Sequence, residues 1–425
     1  MTRAKTGAAR CGPGSTSGGG AGFPHGVVFV ALLLVVLLPV ALFAGGFADA
    51  VRGYVPLEDS RRYMDQPEGA VRNVILLIGD GMGLGHITLS QYAAVGPEGR
   101  LYIEAMPVAG LVTTNAADEL ITDSGASATA MATGRKTNNG WISIAPDGDT
   151  LATVLEMARE AGMGTGIVVT CSVTHATPAC FAAHQRSRAW ETRIAEDLAA
   201  SGVDVLFGAG WKYFRPAGFP GSVRADDRDL LREMGERGYA RVSTRAQLLA
   251  VDRAPVVGLF AEEAMTTHPP EPSLSEMTQK AITLLQKNES GFFLMVEGSQ
   301  IDWAAHEHDA AGVVRQTLQF DLAVRDALEF ARGDGRTLVL VTADHETGGL
   351  EIVGGGRDGS GLEIAWATGG HTPLPVPIFA YGPGAEKFGR MIDDTDIARE
   401  IMRALGFVAH ASREIHPEEK AVSEG

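Results

Sequence analysis

Seven short apolar runs, separated by longer amphipathic stretches, constrain the fold of this chain more than any other feature. A strand that is buried on both faces has a continuous apolar run of this kind, because helices cover both sides of a parallel sheet. The runs occupy residues 74–78, 166–170, 203–207, 256–260, 292–296, 337–341 and 376–381. Helical patterns alternate with them at residues 151–161, 191–200, 273–287, 312–331 and 395–405. The sequence therefore predicts an α/β fold, a three-layer α/β/α sandwich around a largely parallel central sheet.

Composition excludes several classes of protein. The chain has 425 residues, of which 52 are acidic and 36 are Lys or Arg, so its formal charge is −16. An acidic chain repels phosphate backbones, and we therefore expect no nucleic-acid-binding module. Three cysteines are too few for a disulfide scaffold or a cysteine-built zinc module. Cys171 and Cys180 are able to pair in an oxidising compartment, and the sequence leaves that question open.

The first 50 residues have the pattern of a targeting segment. Basic residues precede an apolar run over residues 27–44, and the small-residue sequence Ala48-Asp49-Ala50 follows it. This order is typical of a secretory signal peptide. The run is also close to the lower limit for a membrane span, so a retained signal anchor is the alternative. Both alternatives predict an exported protein, periplasmic or extracellular, in which residues 51–425 form a single domain with a loose tail from about residue 407.

Acidic and histidine side chains follow three of the predicted strands. They are Asp80 after the first, Glu297, Asp302 and His306 after the fifth, and Asp344 and His345 after the sixth, with His371 ahead of the seventh. Ligands of an open parallel sheet bind at the carboxyl ends of its strands, so we expect these side chains at one edge. Asp302 and His306 have the spacing of one helical face. Carboxylates and imidazoles without cysteine are a ligand set suited to catalytic zinc.

Ser124 is a candidate nucleophile. The stretch over residues 122–130 opens a predicted helix rich in small residues, and Ser124 lies at or near the N-terminus of this helix. The N-terminus of a helix favours an anion, because free backbone N–H groups and the helix dipole meet there. The alternative is that Asp123 and Ser124 do no more than cap this helix.

Six motifs, in the same order along the chain, resemble those of the alkaline phosphatases. They are Gly79-Asp80-Gly81-Met82-Gly83, Thr122-Asp123-Ser124 with the following Ala126-Ser127-Ala128-Thr129-Ala130, Ala176-Thr177-Pro178-Ala179, Val296-Glu297-Gly298 with Ile301-Asp302, Thr342-Ala343-Asp344-His345, and His371-Thr372. The similarity extends over residues 72–405. It implies a metal-dependent catalytic domain that hydrolyses phosphate monoesters to an alcohol and inorganic phosphate, and it implies a homodimer. The short interval between His345 and His371 resembles that of compact members.

The resemblance also implies a role for each site residue. Ser124 corresponds to the nucleophile that becomes phosphoserine, and Arg188 to the arginine that clamps phosphate, with Arg186 as its nearest rival. The first of two zinc ions would be held by Asp302, His306 and His371. The second would be held by Asp80, Asp344 and His345, with Ser124 on the same ion. A magnesium ion would be held by Asp80, Thr177 and Glu297.

Two positions beside the third metal depart from part of the family. Some members have Asp and Lys there, whereas this chain has His175 and Trp303. An indole offers one N–H donor and no charge, so Trp303 cannot replace a lysine. An imidazole nitrogen is able to ligate an ion directly or through water. The pair therefore leaves the identity of the third ion open.

Three rival functions belong to other classes. A sulfatase on this scaffold needs Cys or Ser followed by x-Pro-x-Arg, whereas Ser124 is followed by Gly-Ala-Ser-Ala. A phosphodiesterase lacks an arginine that grips the second anionic oxygen, so comparison of monoester with diester hydrolysis decides between the two. A zinc-dependent binding protein would keep the metal ligands but would have no use for Ser124 and Arg188.

Overall fold

The computed structural model describes residues 41–42 and 46–407, which all belong to one compact unit of the chain. Most of the predicted signal segment, and the tail after Phe407, lie outside the described residues. None of the helices in the described part of the chain has the length and apolar character that a membrane crossing requires.

Fifteen strands are described, and ten of them form the central sheet. The strands are β1 (Ala41–Leu42), β2 (Asn73–Gly79), β3 (Val108–Thr113), β4 (Gly164–Ser172), β5 (Val205–Ala209), β6 (Ala240–Val242), β7 (Val256–Leu259), β8 (Phe292–Gly298), β9 (Thr337–Thr342), β10 (Glu346–Thr347), β11 (Leu350–Gly354), β12 (Glu363–Trp366), β13 (His371–Thr372), β14 (Val376–Tyr381) and β15 (Met391–Asp393). The order in the large sheet is β15-β3-β14-β9-β2-β8-β4-β5-β7-β6. Every pairing in it is parallel except the two made by β14.

The helices flank this sheet. They are α1 (Leu84–Val95), α2 (Ser124–Thr133), α3 (Val154–Glu160), α4 (Ala176–Ala179), α5 (Glu191–Ala200), α6 (Leu230–Glu236), α7 (Arg245–Ala250), α8 (Leu274–Leu285), α9 (Gln300–His306), α10 (Ala310–Asp334) and α11 (Asp394–Ala404). The predicted helix from residue 151 begins three residues later, because the Thr153 hydroxyl accepts from the N–H of Glu156 and caps it. The α/β fold with a largely parallel central sheet is confirmed.

Burial explains why the apolar runs became strands. All residues of β2, β4, β8 and β9 are buried, as expected for central strands that are covered on both faces. Their register is level at the carboxyl ends, because Ile78 pairs with Glu297 on one side and with Thr342 on the other. The residues that follow these strands are therefore delivered to the same edge of the sheet.

The charge and weak periodicity of the Arg-rich segment 212–250 predict that it decorates the surface, and this prediction is wrong in part. It contributes the edge strand β6, which pairs in parallel with β7. It also buries the side chain of Arg224, which is 1% exposed and bonded to Glu196 and Asp226. A strand of three residues is too short to show a period in the sequence.

Candidate active site and metal centre

One edge of the central sheet collects the predicted acidic and histidine side chains. Asp80 follows β2, Glu297 is the last residue but one of β8, and Asp344 and His345 follow β9. All four side chains are fully buried. The short α9 follows β8 and carries Asp302 and His306, while β13 carries His371 and pairs with β10.

Asp302, His306 and His371 form a first cluster. Nε2 of His306 lies 3.3 Å from Oδ1 of Asp302 and 3.2 Å from Nε2 of His371. Nε2 of His371 lies 3.7 Å from the same Asp302 oxygen. Ligands of one tetrahedral zinc are separated by roughly 3.3 Å when the bonds are about 2.0 Å long. The three side chains therefore have the spacing of ligands that share an ion.

His345 is the centre of a second cluster. Its Nε2 lies 3.5 Å from Oδ1 of Asp80 and 3.3 Å from Oδ2 of Asp344. The hydroxyl oxygen of Ser124 lies 3.3 Å from the same nitrogen. These are again the separations of donors around one small cation. The carboxylate of Asp302 adjoins both clusters, since it also groups with Asp80 and His345.

The three metal-facing imidazoles are oriented by hydrogen bonds from their Nδ1 atoms. Nδ1 of His306 lies 2.7 Å from the carbonyl of Gly369, and Nδ1 of His371 lies 2.8 Å from the carbonyl of Thr122. A carbonyl only accepts, so each Nδ1 carries a proton, and Nε2 is the nitrogen that is left to ligate a metal. This is the usual arrangement of a histidine that ligates a metal.

Thr347 orients His345 in the same way, although no sequence motif singles this residue out. Its hydroxyl donates to Oδ1 of Asp302 and lies 3.2 Å from Nδ1 of His345. Because the hydroxyl proton is used on the carboxylate, the oxygen accepts from Nδ1–H. Thr347 therefore orients one side chain of each cluster. Its position, two residues after His345, was the only available signal.

Several buried polar atoms at this edge have no hydrogen-bond partner among the described residues. They are both carboxylate oxygens of Asp80, Oδ2 of Asp344, Oε1 of Glu297, Oγ1 of Thr177 and Nδ1 of His175. Unpaired buried carboxylates cost several kcal/mol unless a cation compensates them. The donor set and its unsatisfied atoms therefore fit divalent metal ions.

In the metal-free protein, burial is the largest cause of the pKa shifts of the carboxyl and imidazole groups at this edge. It raises the pKa of Asp80 well above its ordinary value, and the carboxylates of Asp344 and Asp302 raise it further. Burial also raises the pKa of Glu297 to about 7 and lowers the pKa of His345. Each shift favours the neutral carboxyl or imidazole. Divalent cations would reverse the penalty on the carboxylates, because they supply the missing charge.

Ser124 is the first residue of α2, and Asp123 caps that helix. Oδ1 of Asp123 accepts from the N–H of Ala126 at 2.9 Å, as the capping alternative predicts. Oδ2 of Asp123 accepts from Nη1 of Arg188, also at 2.9 Å. Asp123 therefore both caps α2 and holds the guanidinium of Arg188 beside Ser124. Ser124 itself is 3% exposed and points to His345.

The two candidate arginines are separated by their contacts. Arg188 is tied to Asp123, and its Nη2 lies 3.2 Å from Nε2 of His175. Arg186 instead lies over the ring of Trp141, with its guanidinium carbon 5.6 Å from the ring centroid. The structure thus brings Arg188, and not Arg186, into the group that contains Ser124.

The third predicted metal site lies around Glu297. Thr177 is in α4 and His175 precedes that helix. The rings of His175 and Trp303 meet edge to face, with centroids 6.1 Å apart. Burial, together with the charge of Arg188, lowers the pKa of His175 to about 3, so the imidazole is neutral. Cys171 and Cys180, for which a disulfide was left open, are both free thiols.

Known proteins are similar to this chain over most of its length. The sequence model of the alkaline phosphatase family matches residues 71–363. Alkaline phosphatase 3 of Bacillus subtilis is 33% identical, over 87% of this chain and 97% of that protein. The solved alkaline phosphatase of the Antarctic bacterium TAB5 is 36% identical with a TM-score of 0.73, over 80% of this chain and 99% of that one.

A variant of the TAB5 enzyme with aspartate in place of a histidine has also been solved, with magnesium bound in its M3 site. It is 35% identical to this chain, with a TM-score of 0.70, over 80% of this chain and 99% of that one. The family match covers more than half of the chain, and the B. subtilis relative aligns over nearly its whole length. This chain therefore belongs to the alkaline phosphatase family, a family of enzymes that hydrolyse phosphate monoesters.

Proposed function

We propose that this enzyme hydrolyses phosphate monoesters through a phosphoserine on Ser124, by two in-line displacements at phosphorus. The observation that carries the proposal is the position of the Ser124 hydroxyl, 3.3 Å from Nε2 of His345. A serine hydroxyl is a weak nucleophile at its free pKa and needs a base or a metal to activate it. A neutral His345 between two carboxylates supports a metal ligand at this point rather than a free base.

The donor sets support two zinc ions and one magnesium ion. We assign one zinc to Asp302, His306 and His371, and the other to Asp80, Asp344 and His345. We assign magnesium to the oxygen donors of Asp80, Thr177 and Glu297, because a hard cation prefers oxygen ligands. When bound, the zinc ions lower the pKa of the attacking hydroxyl and neutralise charge on the attacking and leaving oxygens.

The chain's own groups perform the remaining work. Ser124 Oγ releases its proton to the solvent and attacks phosphorus, while the bond between phosphorus and the leaving oxygen breaks and the alkoxide takes up a proton from the solvent to leave as the alcohol. Arg188, held by Asp123, directs its guanidinium to the nonbridging oxygens by charge-assisted hydrogen bonds. Ser124 is also the first residue of α2, and the dipole of this helix favours an anion at that end. Water then attacks phosphorus, the bond to Ser124 Oγ breaks, and inorganic phosphate leaves.

Trapping the intermediate tests this proposal directly. The metal-loaded protein is mixed with a chromogenic phosphate monoester, quenched in acid and digested, and the peptides are analysed by mass spectrometry. A phosphate adduct on Ser124 that disappears in Ser124→Ala supports the covalent route. Turnover without an adduct, or with the adduct on another residue, overturns it.

Arg188 also supports a monoesterase over a phosphodiesterase. A monoester presents one more anionic oxygen than a diester, and a paired guanidinium is suited to hold two of them. We therefore expect higher kcat/KM for monoesters than for diesters with the same leaving group. A preference for the diester would favour the phosphodiesterase.

Location and assembly complete the proposal. We propose that the protein is exported and that residues 51–425 act as one catalytic domain. Residues 1–50 are then either removed as a signal peptide or kept as an anchor by the apolar residues 27–44. We also propose that the protein is a homodimer, as the resemblance to the family implies. N-terminal sequencing of the mature protein distinguishes cleavage from anchoring, and sedimentation tests the dimer.

A further inference from the structure

A thiol lies beside the third metal site, and the proposed function gives it no role. Sγ of Cys171, a ring nitrogen of His175 and a carboxylate oxygen of Glu297 all lie within 4.8 Å of one another. Cys171 is the last residue but one of β4, and Glu297 lies on the neighbouring strand β8. The sulfur is 3.5 Å from Oε2 of Glu297. That is the separation of roughly 3.5 Å expected for sulfur and oxygen on one tetrahedral zinc.

Two buried atoms beside this thiol lack hydrogen-bond partners, although the thiol itself donates to the carbonyl of Ser172 at 3.2 Å. Cys171 and Glu297 are both 0% exposed. Oε1 of Glu297 and Nδ1 of His175 have no hydrogen-bond partner in the described part of the chain. The remaining nitrogen of His175, Nε2, faces Arg188 at 3.2 Å, which leaves Nδ1 as the atom available to an ion. An ion among these three side chains would give Nδ1 of His175 a partner and would compensate the buried charge of Glu297.

Cys180 is a second buried cysteine in the described part of the chain, and its environment can be compared with that of Cys171. Its sulfur accepts from the hydroxyl of Thr129 at 3.3 Å and lies 3.2 Å from the carbonyl of Gly125. In the part of the chain that the structure describes, Cys180 belongs to no group of three potential metal ligands. The two cysteines therefore differ in environment although both are free and buried.

We propose that the third metal site of this enzyme binds zinc through the Cys171 thiolate, His175 and Glu297, in competition with the magnesium assigned above. This inference rests on the proposed function, because it concerns the ion next to the two catalytic zinc ions. Thiolate and imidazole donors select zinc, whereas carboxylate and hydroxyl oxygens suit magnesium. Both ions need Glu297, so the site holds one or the other. Zinc binding releases the thiol proton of Cys171 to the solvent.

Zinc at this position also changes the partner of Arg188. With Nδ1 of His175 on the ion, the one ring proton resides on Nε2. Nε2 then no longer accepts the hydrogen bond from Nη2 of Arg188. The guanidinium keeps its contact with Asp123 and gains a free donor for phosphate. Occupation of the third site by zinc therefore strengthens phosphate binding.

Cobalt(II) is a suitable probe, because it occupies zinc sites and gives an intense thiolate-to-metal charge-transfer band only when it is bound to sulfur. The full-length protein is stripped of metal and titrated with cobalt(II) in the presence of magnesium. We expect the band to appear with the third equivalent of cobalt, after the two sites without sulfur are filled. Cys171→Ser removes the band, and the matched variant Cys180→Ser retains it.

Metal content gives a second readout that does not depend on activity. After equilibration with zinc and magnesium together, we expect three zinc ions per chain in the parent protein, and two zinc ions plus one magnesium in Cys171→Ser. Three bound cobalt ions without a charge-transfer band in the parent protein would overturn the proposal, even if Cys171→Ser did not fold. An unchanged band in Cys171→Ser would do so as well.

Failure of this inference is distinguishable from failure of the proposed function. Monoester hydrolysis is measured on metal-stripped protein that has received two equivalents of zinc, before the third site fills. Absence of hydrolysis there rejects the phosphatase mechanism. Normal hydrolysis without a sulfur-dependent band rejects only the role of Cys171.

Discussion

The hydroxyl oxygen of Ser124 lies 3.3 Å from Nε2 of His345, although 221 residues separate the two along the chain. Ser124 opens a helix, and His345 follows a central strand of the sheet. His345 Nε2 also lies within 3.5 Å of carboxylate oxygens of Asp80 and Asp344. One nitrogen thus connects the candidate nucleophile with the second metal cluster, and the predictions below follow from this arrangement.

Ser124→Ala removes only the hydroxyl group that is the proposed nucleophile. We expect kcat to fall on the order of 10³-fold or more, because the covalent route is closed. Metal content is expected to stay the same, since three protein ligands remain in each zinc cluster. Ser127→Ala is the matched control, because this buried serine lies in the same helix and its hydroxyl has no hydrogen-bond partner in the described structure. Near-parental turnover in metal-loaded Ser124→Ala contradicts the mechanism.

Arg188→Ala is expected to weaken phosphate inhibition and monoester turnover by about 10- to 100-fold, the usual effect of losing hydrogen bonds to a charged group. Diester turnover should fall less, because a diester offers one anionic oxygen fewer. Arg186→Ala is the control, since Arg186 contacts Trp141 instead. The measurements are kcat/KM on both substrates and the inhibition constant of phosphate. Equal losses of kcat/KM on both substrates would show that Arg188 does not bind the additional anionic oxygen of the monoester.

Chelation should abolish activity, and zinc should restore it better than magnesium alone. His306, His345 and His371 present imidazole nitrogens, which favour zinc over the harder ion. We also expect activity to rise into the alkaline range, where ligands and metal-bound water lose protons more readily. Metal analysis together with a pH–rate profile checks both statements. An active preparation that contains iron or calcium and no zinc refutes them.

The metal-free protein is expected to lose stability as the pH rises from 6.5 to about 9. The hydrogen bond to Asp302 raises the pKa of His306 from 6.5 to about 9. A raised pKa in the folded state stabilises the fold fully below 6.5, and this contribution is lost as the pH rises through the folded value. Denaturant unfolding of chelator-treated protein measures the slope, which His306→Gln should reduce. Zinc-loaded protein is the control, because the ion displaces the proton.

The pair His175 and Trp303 should control the preference of the third site for magnesium. His175→Asp adds a carboxylate next to Glu297. Trp303→Lys introduces the cation that some members of the family have at this position. We expect the double variant to bind magnesium more tightly and to depend more strongly on added magnesium. Calorimetric titration with magnesium and metal analysis measure the change. Unchanged curves show that these two residues do not govern the site.

The pattern of apolar residues along the chain predicted much of the fold. The runs at residues 74–78 and 337–341 became fully buried strands, because a strand covered on both faces requires apolar residues without interruption. Strand β6 and the burial of Arg224 were missed. Their stability comes from β7 and from Glu196 and Asp226, and such tertiary partners leave no local pattern.

The sequence by itself determined which residue types stand at the ends of the strands, and the six motifs identified the family. The tertiary structure alone decided which atoms meet. The sequence pattern predicts that Asp80, Glu297 and Asp344 share one edge, but only the register of β2, β8 and β9 shows that these strands end level with one another. Likewise, only the folded chain pairs Arg188 rather than Arg186 with Asp123, and places Cys171 against Glu297. The physical reason is that spacing along the chain fixes the neighbours within one helix or strand, whereas contacts between elements depend on how the whole core packs.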